Sequence, residues 1–125
     1  MRRDGTSLSG DEILAVVDPA TNEVIGSAPR ARVKEENLSH RATYIFIRRK
    51  DSELLYVQRR SMLKDYAPGY LDPTTGGCVG ASETYEENAV RELQEELGVS
   101  GAQLAHLFDF YHAPFWGRCC IAGMK

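Results

Sequence analysis

Three glutamates in one short segment could together bind a metal ion. Glu92, Glu95 and Glu96 lie in a stretch whose pattern predicts a helix. Residues three or four positions apart on a helix are neighbours, so the three carboxylates would share roughly one face. Their repulsion opposes helix formation by about 0.2–0.5 kcal/mol per pair, and a hard cation such as Mg²⁺ or Mn²⁺ would relieve it. The alternative is a solvated helix face, the commonest fate of a run of charges.

The same helix carries an apolar stripe that would pack on a sheet. At 100° per residue, the stripe consists of Ala89, Val90, Leu93 and Leu97. Glu92 and Glu96 are expected at its edge, where the helix meets the sheet, with Glu95 facing further outward. Glu87 and Arg91 are spaced for an ion pair at i, i+4.

The glutamates belong to a longer pattern that runs from Gly77 to Val99. It reads Gly77, five residues, Glu83, seven residues, and then Arg91-Glu92-Leu93-Gln94-Glu95-Glu96-Leu97-Gly98-Val99. This pattern is similar to the Nudix box, and from about Ile13 onward the chain resembles the Nudix hydrolase superfamily. All the constrained positions of the box are matched: Gly77, Glu83, Arg91, Glu92, Leu93, Glu95, Glu96, Gly98 and Val99.

The resemblance implies a fold, an activity and a set of roles. The implied fold is an α/β/α sandwich with a mixed sheet, and the implied reaction is water attack on a nucleoside diphosphate linked to another group. The implied metal ligands are Glu92, Glu95, Glu96 and the backbone carbonyl of Gly77. Arg91 would orient a ligand glutamate and Glu83 would brace the loop. The catalytic residues implied are Glu92, Glu95 and Arg91, with Glu95 only a candidate for the general base.

Other residues resemble the branch of the superfamily near isopentenyl-diphosphate isomerase. They are His40-Arg41-Ala42-Thr43, Gln58-Arg59-Arg60, Lys64 and Pro68-Gly69. However, Thr75 stands where that isomerase has its catalytic cysteine, Gly77 stands where it has a metal-binding histidine, and Cys78 is displaced. The intact box therefore favours a hydrolase over an isomerase.

Basic residues before the box could bind substrate phosphates. Arg59, Arg60 and Lys64 are the candidates, because the planar fork of arginine suits phosphate oxygens. The alternative is the solvated end of a strand. His40 also has two interpretations, a remnant of an isomerase-type metal site or an ordinary histidine where a strand begins.

Strands are expected on both sides of the helix. Thr84 and Glu87 predict a capping box at the start of a helix from about Tyr85 to Leu97, and Gly98 suits the left-handed residue after it. Pro29 is expected at the first position of an earlier helix that reaches Leu38. The predicted strands are Ile13–Asp18, Glu23–Gly26, Thr43–Arg48, Glu53–Arg59, Leu104–Tyr111 and Phe115–Ala122, with Thr43–Arg48 and Glu53–Arg59 forming an antiparallel hairpin around the turn at 49–52.

Composition indicates one small globular domain. The chain has 125 residues, 42% hydrophobic and 26% charged, with a net charge of −3. That charge argues against binding a nucleic-acid polymer, and no apolar run is long enough to cross a membrane. The odd set of cysteines (Cys78, Cys119 and Cys120) argues against disulfides and predicts a cytoplasmic location. Residues 1–10 are expected to be a flexible N-terminus and 11–125 the Nudix domain, with its box at 77–99 and a small-molecule diphosphate as its partner.

The segment after the box is short for this superfamily. Ala113–Lys125 offers at most one strand, so the C-terminal strands and helix of the sandwich are expected to be missing and the chain to be a truncated product. A bare sheet face would expose an apolar patch of a size that soluble monomers rarely tolerate. The alternative to an active hydrolase is therefore a weak or inert Nudix fold that acts by binding, stabilised by a partner or as a homodimer.

Overall fold

A computed structural model describes residues 12–49, 54–59, 61–63 and 69–124. Two helices and eight strands are defined in these ranges. In chain order they are β1 (Ile13–Val17), β2 (Val24–Pro29), α1 (Arg30–Glu35), β3 (His40–Arg49), β4 (Gln58–Arg59), β5 (Leu71–Asp72), β6 (Thr74–Thr75), α2 (Tyr85–Leu97), β7 (Leu104–His112) and β8 (Phe115–Met124). The strands expected at both ends of the chain and the long helix between them are confirmed.

Strand β3 lies at the centre of a six-stranded mixed sheet. The order is β2-β1-β3-β8-β7, with β6 also paired to β3. β3 and β8 run parallel along their whole length, from His40 opposite Phe115 to Arg49 opposite Met124, whereas the other pairs are antiparallel. Because β8 pairs with the whole length of one edge of β3, the other edge pairs with several shorter segments.

That opposite edge of β3 holds the chain that leads into the box. Cys78 bridges to Ala42, and Thr75 lies opposite Ile45. The Val79 N–H also donates to the Arg41 carbonyl at 2.9 Å. The loop before α2 is therefore part of the sheet, which fixes the position of the first residues of the box.

The second strand of the predicted hairpin is much shorter than expected. Leu55 bridges to Arg48 in the antiparallel sense, and the Tyr56 N–H donates to the Ile47 carbonyl at 2.8 Å. Pairing with β3 stops there because β6 occupies the next positions along the same edge. Only Gln58–Arg59 then form a strand, and they pair with β5 instead of β3. The turn residues 50–52 lie outside the described part.

Helix α1 is shorter than the sequence predicted. It ends at Glu35, and Pro29 is the residue that precedes its first turn, with φ −60° and ψ 146°. Asn37 adopts a left-handed conformation with φ 55°. The chain turns back there, and the Leu38 N–H donates to the Val33 carbonyl at 3.0 Å. This reversal ends the helix before Leu38.

The two helices cover opposite faces of the sheet, as a sandwich requires. Val33 of α1 packs with Leu14 and Ala28, while α2 packs on Ile45 and its neighbours through a second core cluster. That cluster consists of Ile45, Ile47, Ala89, Leu93 and Ala122. Val16 lies opposite His40, so Leu14, Val16 and His40 share one face of the sheet. Ile45 comes five residues after His40 and therefore points to the other face. The α/β/α arrangement with a mixed sheet is confirmed.

The buried face of α2 differs from the predicted apolar stripe. Its buried residues are Tyr85, Asn88, Ala89, Glu92 and Leu93. Val90 and Leu97 were predicted in the stripe but are 47% and 40% exposed. The prediction was wrong at these two positions because the helix turns a polar pair, Asn88 and Glu92, toward the sheet and loop.

Cys78, Cys119 and Cys120 carry free thiols. Cys119 and Cys120 are buried in β8. In the ranges that the structure describes, no helix is both long and apolar enough to span a membrane.

Candidate active site

The start of α2 is fixed by its cap. The Glu87 N–H donates to the Thr84 hydroxyl at 3.0 Å, and the Thr84 N–H donates to the Glu87 carboxylate at 2.9 Å. This reciprocal pair is the predicted capping box. Gly98 ends the helix with φ 68°, also as predicted. The helix that carries the glutamates therefore has both ends defined by local sequence.

Arg91 joins the loop to the helix through Glu83. Its Nε and Nη2 atoms donate to the two carboxylate oxygens of Glu83 at 2.6 and 3.1 Å. The Gly80 N–H donates to Glu83 Oε1 at 2.8 Å. A bidentate pair of this kind adds both charge and directional constraint. Glu83 thus makes the contacts of a loop brace, the role that the family resemblance implied.

Burial and hydrogen bonding act in opposite directions on Glu83. Burial raises the pKa of its carboxyl, but the hydrogen bonds from Arg91, Asn88 and the Gly80 N–H outweigh burial, so the pKa lies below its usual value. The same contact with Glu83 raises the pKa of Arg91. Both groups are therefore charged at neutral pH, and their ion pair is a permanent part of the site.

Asn88 is a buried hub that sequence reasoning missed. Its side chain is fully buried. It accepts from the Thr43 hydroxyl at 2.6 Å, and its Nδ2 donates to the Cys78 carbonyl at 2.8 Å and to Glu83 Oε1 at 3.0 Å. Strand, loop and helix meet at this one amide. Its only sequence signal is a position in the i, i+3, i+4, i+7 series from Tyr85, where an apolar residue is usual.

Glu92 packs directly against Gly77. The Glu92 side chain is only 8% exposed, and a Cβ atom built on Gly77 would lie 2.8 Å from its Oε2 atom. Any larger residue at position 77 would have to displace the carboxylate. The Gly77 carbonyl, the implied metal ligand, accepts from the Thr43 N–H at 2.9 Å. Glycine at 77 therefore makes room for the first of the three glutamates.

Arg91 also contacts the glutamates of the predicted metal site. Its Nη1 atom donates to Glu95 Oε1 at 3.1 Å and lies 3.4 Å from Glu92 Oε2. Glu96 is half-buried one turn after Glu92. The predicted i, i+4 ion pair between Glu87 and Arg91 is not formed. Glu87 caps the helix instead, and Arg91 pairs with Glu83 and Glu95.

The acidic side chains of α2 are of the chemical type that binds divalent cations. Within the described ranges, no three Asp, Glu, His or Cys side chains converge as a ready metal-binding group. The oxygens of Glu92 and Glu95 are drawn to Arg91 instead. Nevertheless, Glu92 is a buried carboxylate on the helix face that also carries Glu95 and Glu96, and hard cations prefer such oxygen donors. These residues therefore suit Mg²⁺ or Mn²⁺ by chemistry.

Of the predicted phosphate-binding residues, only Arg59 falls within the described part of the chain. Arg59 is exposed in β4, and its Nη1 atom donates to the Gly69 carbonyl at 2.8 Å. Arg60 and Lys64 fall outside the described residues, so their role stays a prediction. His40 begins β3, and its Nδ1 atom lies 3.0 Å from the Leu38 carbonyl. Burial lowers the pKa of its ring, which favours the neutral form.

Comparison with known proteins agrees with this fold and this site. Residues 38–119 match the NUDIX domain family. An uncharacterized Nudix hydrolase of Yersinia pestis is 42% identical over 109 residues, which are 87% of this chain and 57% of that protein. The uncharacterized Nudix hydrolase YfcD of Escherichia coli K12 is 47% identical over 100 residues, 77% of this chain and 55% of YfcD.

Solved structures include one with a closely similar fold. The crystal structure of DR0079 from Deinococcus radiodurans superposes with a TM-score of 0.77 at 28% identity, covering 91% of this chain and 73% of that one. The chain belongs to the Nudix family. It spans little more than half the length of the curated relatives described above.

The Glu83 brace predicts a specific pH dependence of stability. The pKa of the Glu83 carboxyl in the folded protein lies below its ordinary value of 4.5, because the hydrogen bonds from Arg91, Asn88 and the Gly80 N–H outweigh burial. Its contribution is therefore complete above that value and is lost as pH falls through the folded pKa. We expect Glu83→Gln to lower the free energy of unfolding by about 1–3 kcal/mol at pH 7. The gap from wild type should shrink below pH ~4, as measured by urea unfolding across pH 3–7.

The matched control for this brace is Glu35→Gln, an exposed glutamate at the end of α1. We expect its stability to stay within about 0.5 kcal/mol of wild type. A gap for Glu83→Gln that is constant from pH 7 to pH 3 would contradict the role of the ionised carboxylate.

Proposed function

We propose that this chain is a Mg²⁺-dependent hydrolase that cleaves the diphosphate linkage of a nucleoside diphosphate joined to another group. The observation that supports it most is the packing of Glu92 against Gly77 beside the Arg91–Glu83 brace. The contact joins the loop at the start of the box to the second half of α2, and the carboxylate in it is buried. Membership in the Nudix family supports the same reaction.

Glu92, Glu95 and Glu96 would hold the cation, with the Gly77 carbonyl as a further candidate. When bound, a divalent cation would supply Lewis-acid polarisation of a phosphoryl oxygen and would lower the pKa of a water that it binds. The ion-paired Arg91 keeps Glu95 in a defined rotamer, and burial keeps Glu92 away from competing solvent. The protein's contribution is to carry these carboxylates on one helix whose two ends are fixed by the Thr84 cap and by Gly98.

Glu95 is our candidate for the general base. Its side chain is 21% exposed, so water can reach it, and Arg91 lies 3.1 Å from its Oε1 atom. In this proposal Arg91 acts as a positioning residue, and the carboxylate of Glu95 accepts a proton from the attacking water. The water oxygen then forms a bond to phosphorus as the bond to the bridging oxygen breaks, releasing two phosphorylated products.

The isomerase alternative is less well supported by the residues at the corresponding positions. Thr75 offers no thiol and is buried within β6. Burial raises the pKa of the neighbouring Cys78 thiol, which favours the protonated, unreactive form. Gly77 provides no imidazole. A side chain at position 77 would collide with the Glu92 carboxylate. A chemistry that depends on the box glutamates is therefore the better proposal.

A turnover assay tests hydrolysis against the binding-only alternative. Purified protein would be incubated with Mg²⁺ and a panel of dinucleoside polyphosphates and nucleotide sugars, and the phosphorylated products measured. We expect turnover of at least one compound, abolished by EDTA and restored by Mg²⁺. Absence of turnover from protein with a cooperative melting transition would instead support a Nudix fold that acts by binding. A cytoplasmic location and a homodimer stay predictions.

A further inference from the structure

A cavity of about 230 Å³ lies beside the C-terminal end of α2. Ile45 and Ile47 of β3 form its floor, and both are buried. Leu97 of α2 also lines the cavity, as do Tyr56 and Val57, which lie between the end of β3 and β4 in the chain. These residues present mainly carbon atoms, so the cavity suits an uncharged, flat or branched group and not a phosphate.

The lining of the cavity is close along the chain to residues of the box. It includes Thr75, two residues before Gly77, and two residues of extended chain span at most about 7 Å. On the helix side Leu97 directly follows Glu96, and the five residues from Glu92 to Leu97 rise by about 7.5 Å. A ligand with its diphosphate at the glutamates could therefore place the attached group in the cavity.

One side of the cavity is polar and held in place. Gln58 and Asp72 lie opposite each other in the β4–β5 pair. Gln58 Nε2 donates to the Thr74 carbonyl at 3.3 Å, and Asp72 Oδ1 accepts from the Thr74 N–H and hydroxyl, both at 2.9 Å. An amide and a carboxylate that are held beside apolar walls can form hydrogen bonds with the edge of a heterocycle. A purely hydrocarbon group could form no hydrogen bond with either of them.

We propose that this cavity binds the nucleobase of the substrate, with the ring between Tyr56 and Leu97 over Ile45 and Ile47, and its polar edge toward Gln58 and Asp72. The volume is smaller than the roughly 300–1,000 Å³ of pockets that enclose whole drug-sized ligands, so it fits one ring system and not a whole dinucleotide. The proposal rests on the proposed hydrolase function for the placement of the diphosphate, but base binding can be measured without turnover.

The test uses probes that carry a base but no diphosphate. The four ribonucleoside 5′-monophosphates would be titrated into protein with ¹³C-labelled isoleucine methyl groups, with ribose 5-phosphate as the base-free control. We expect at least one nucleotide to shift the methyl signals of Ile45 and Ile47, and ribose 5-phosphate to leave them unchanged. Isopentenyl diphosphate would be titrated as the hydrocarbon competitor.

Matched variants on one helix locate the binding. Leu97→Trp would fill the cavity, and Val90→Trp adds the same bulk at a comparably exposed position of α2 that does not border it. We expect Leu97→Trp to weaken nucleotide binding, and to raise KM for the best substrate, by at least tenfold with kcat within threefold, while Val90→Trp matches wild type. Val57→Trp, from the opposite wall, should reproduce the effect if Leu97→Trp fails to fold.

The outcomes separate this proposal from the proposed function. Turnover with an unchanged KM in the filled variants would overturn the cavity assignment and leave hydrolysis intact. Nucleotide binding at Ile45 and Ile47 without any turnover would support the cavity and reject hydrolysis. Stronger shifts with isopentenyl diphosphate, or equal shifts with ribose 5-phosphate, would overturn the assignment to a base.

Discussion

Replacement of Glu96 by glutamine is expected to reduce Mg²⁺-dependent turnover by at least about 100-fold. The change keeps the shape of the side chain and removes one of the negative charges that the proposed metal site needs. Metal-assisted catalysis contributes several kcal/mol, and each 1.36 kcal/mol is a factor of ten in rate. Glu96 is half-buried on α2, so the substitution should leave the fold intact. Steady-state rates at saturating Mg²⁺ and melting temperatures measure the two effects separately.

Glu86→Gln is the matched control for this variant. Glu86 lies on the same helix, in its exposed first turn, and is about 15 Å before Glu96 along the helix axis. We expect its turnover to stay within about threefold of wild type, because the change removes the same charge without touching the site. Unaltered turnover of Glu96→Gln would refute its assignment as a metal ligand. Calorimetric titration with Mg²⁺ should show weakened cation binding by Glu96→Gln alone.

Replacement of Asn88 by alanine is expected to lower the free energy of unfolding by about 2–4 kcal/mol. Truncation leaves the buried Thr43 hydroxyl and the Cys78 carbonyl without their present partner. A buried polar group that loses its hydrogen bond costs about 1–3 kcal/mol. The loss also frees the loop from the helix, so we expect turnover to fall as Glu92 and Gly77 lose their fixed separation. Urea denaturation measures the first effect.

Gln94→Ala provides the control for Asn88 because it removes an exposed amide from the same helix. Its unfolding free energy should stay within about 0.5 kcal/mol of wild type. If Asn88→Ala proved as stable as Gln94→Ala, the amide would not be the link between β3, the loop and α2.

The helix was readable from the sequence because its signals are local. The capping box of Thr84 and Glu87 and the left-handed Gly98 act within a few residues of each other, and the structure reproduces the predicted bounds of α2. The strands expected around it also form. By contrast, within the described residues 54–59 of the predicted strand 53–59, only Gln58–Arg59 form a strand, because β6 competes for the edge of β3. Competition between distant segments leaves no trace in local sequence.

Apolar periodicity did not predict all the buried residues of α2 correctly. Val90 and Leu97 fit an apolar stripe by residue type but are 47% and 40% exposed. Asn88 and Glu92 are buried because both have polar partners: Thr43 and Glu83 for Asn88, and Arg91 of the same helix for Glu92. A polar side chain is buried at low cost only where such partners exist. The partners of Asn88 come from other elements of the fold.

The sequence by itself determined the family, the helix with its caps, and the set of acidic side chains on one segment, because the spacing of the box residues and the capping box are properties of a single stretch of chain. Only the tertiary structure decided that Arg91 pairs with Glu83, that Gly77 makes room for Glu92, and that a cavity forms beside Leu97. Each of these depends on how the loop is anchored to β3. That anchoring is a long-range contact, and its energy comes from groups far apart in the chain.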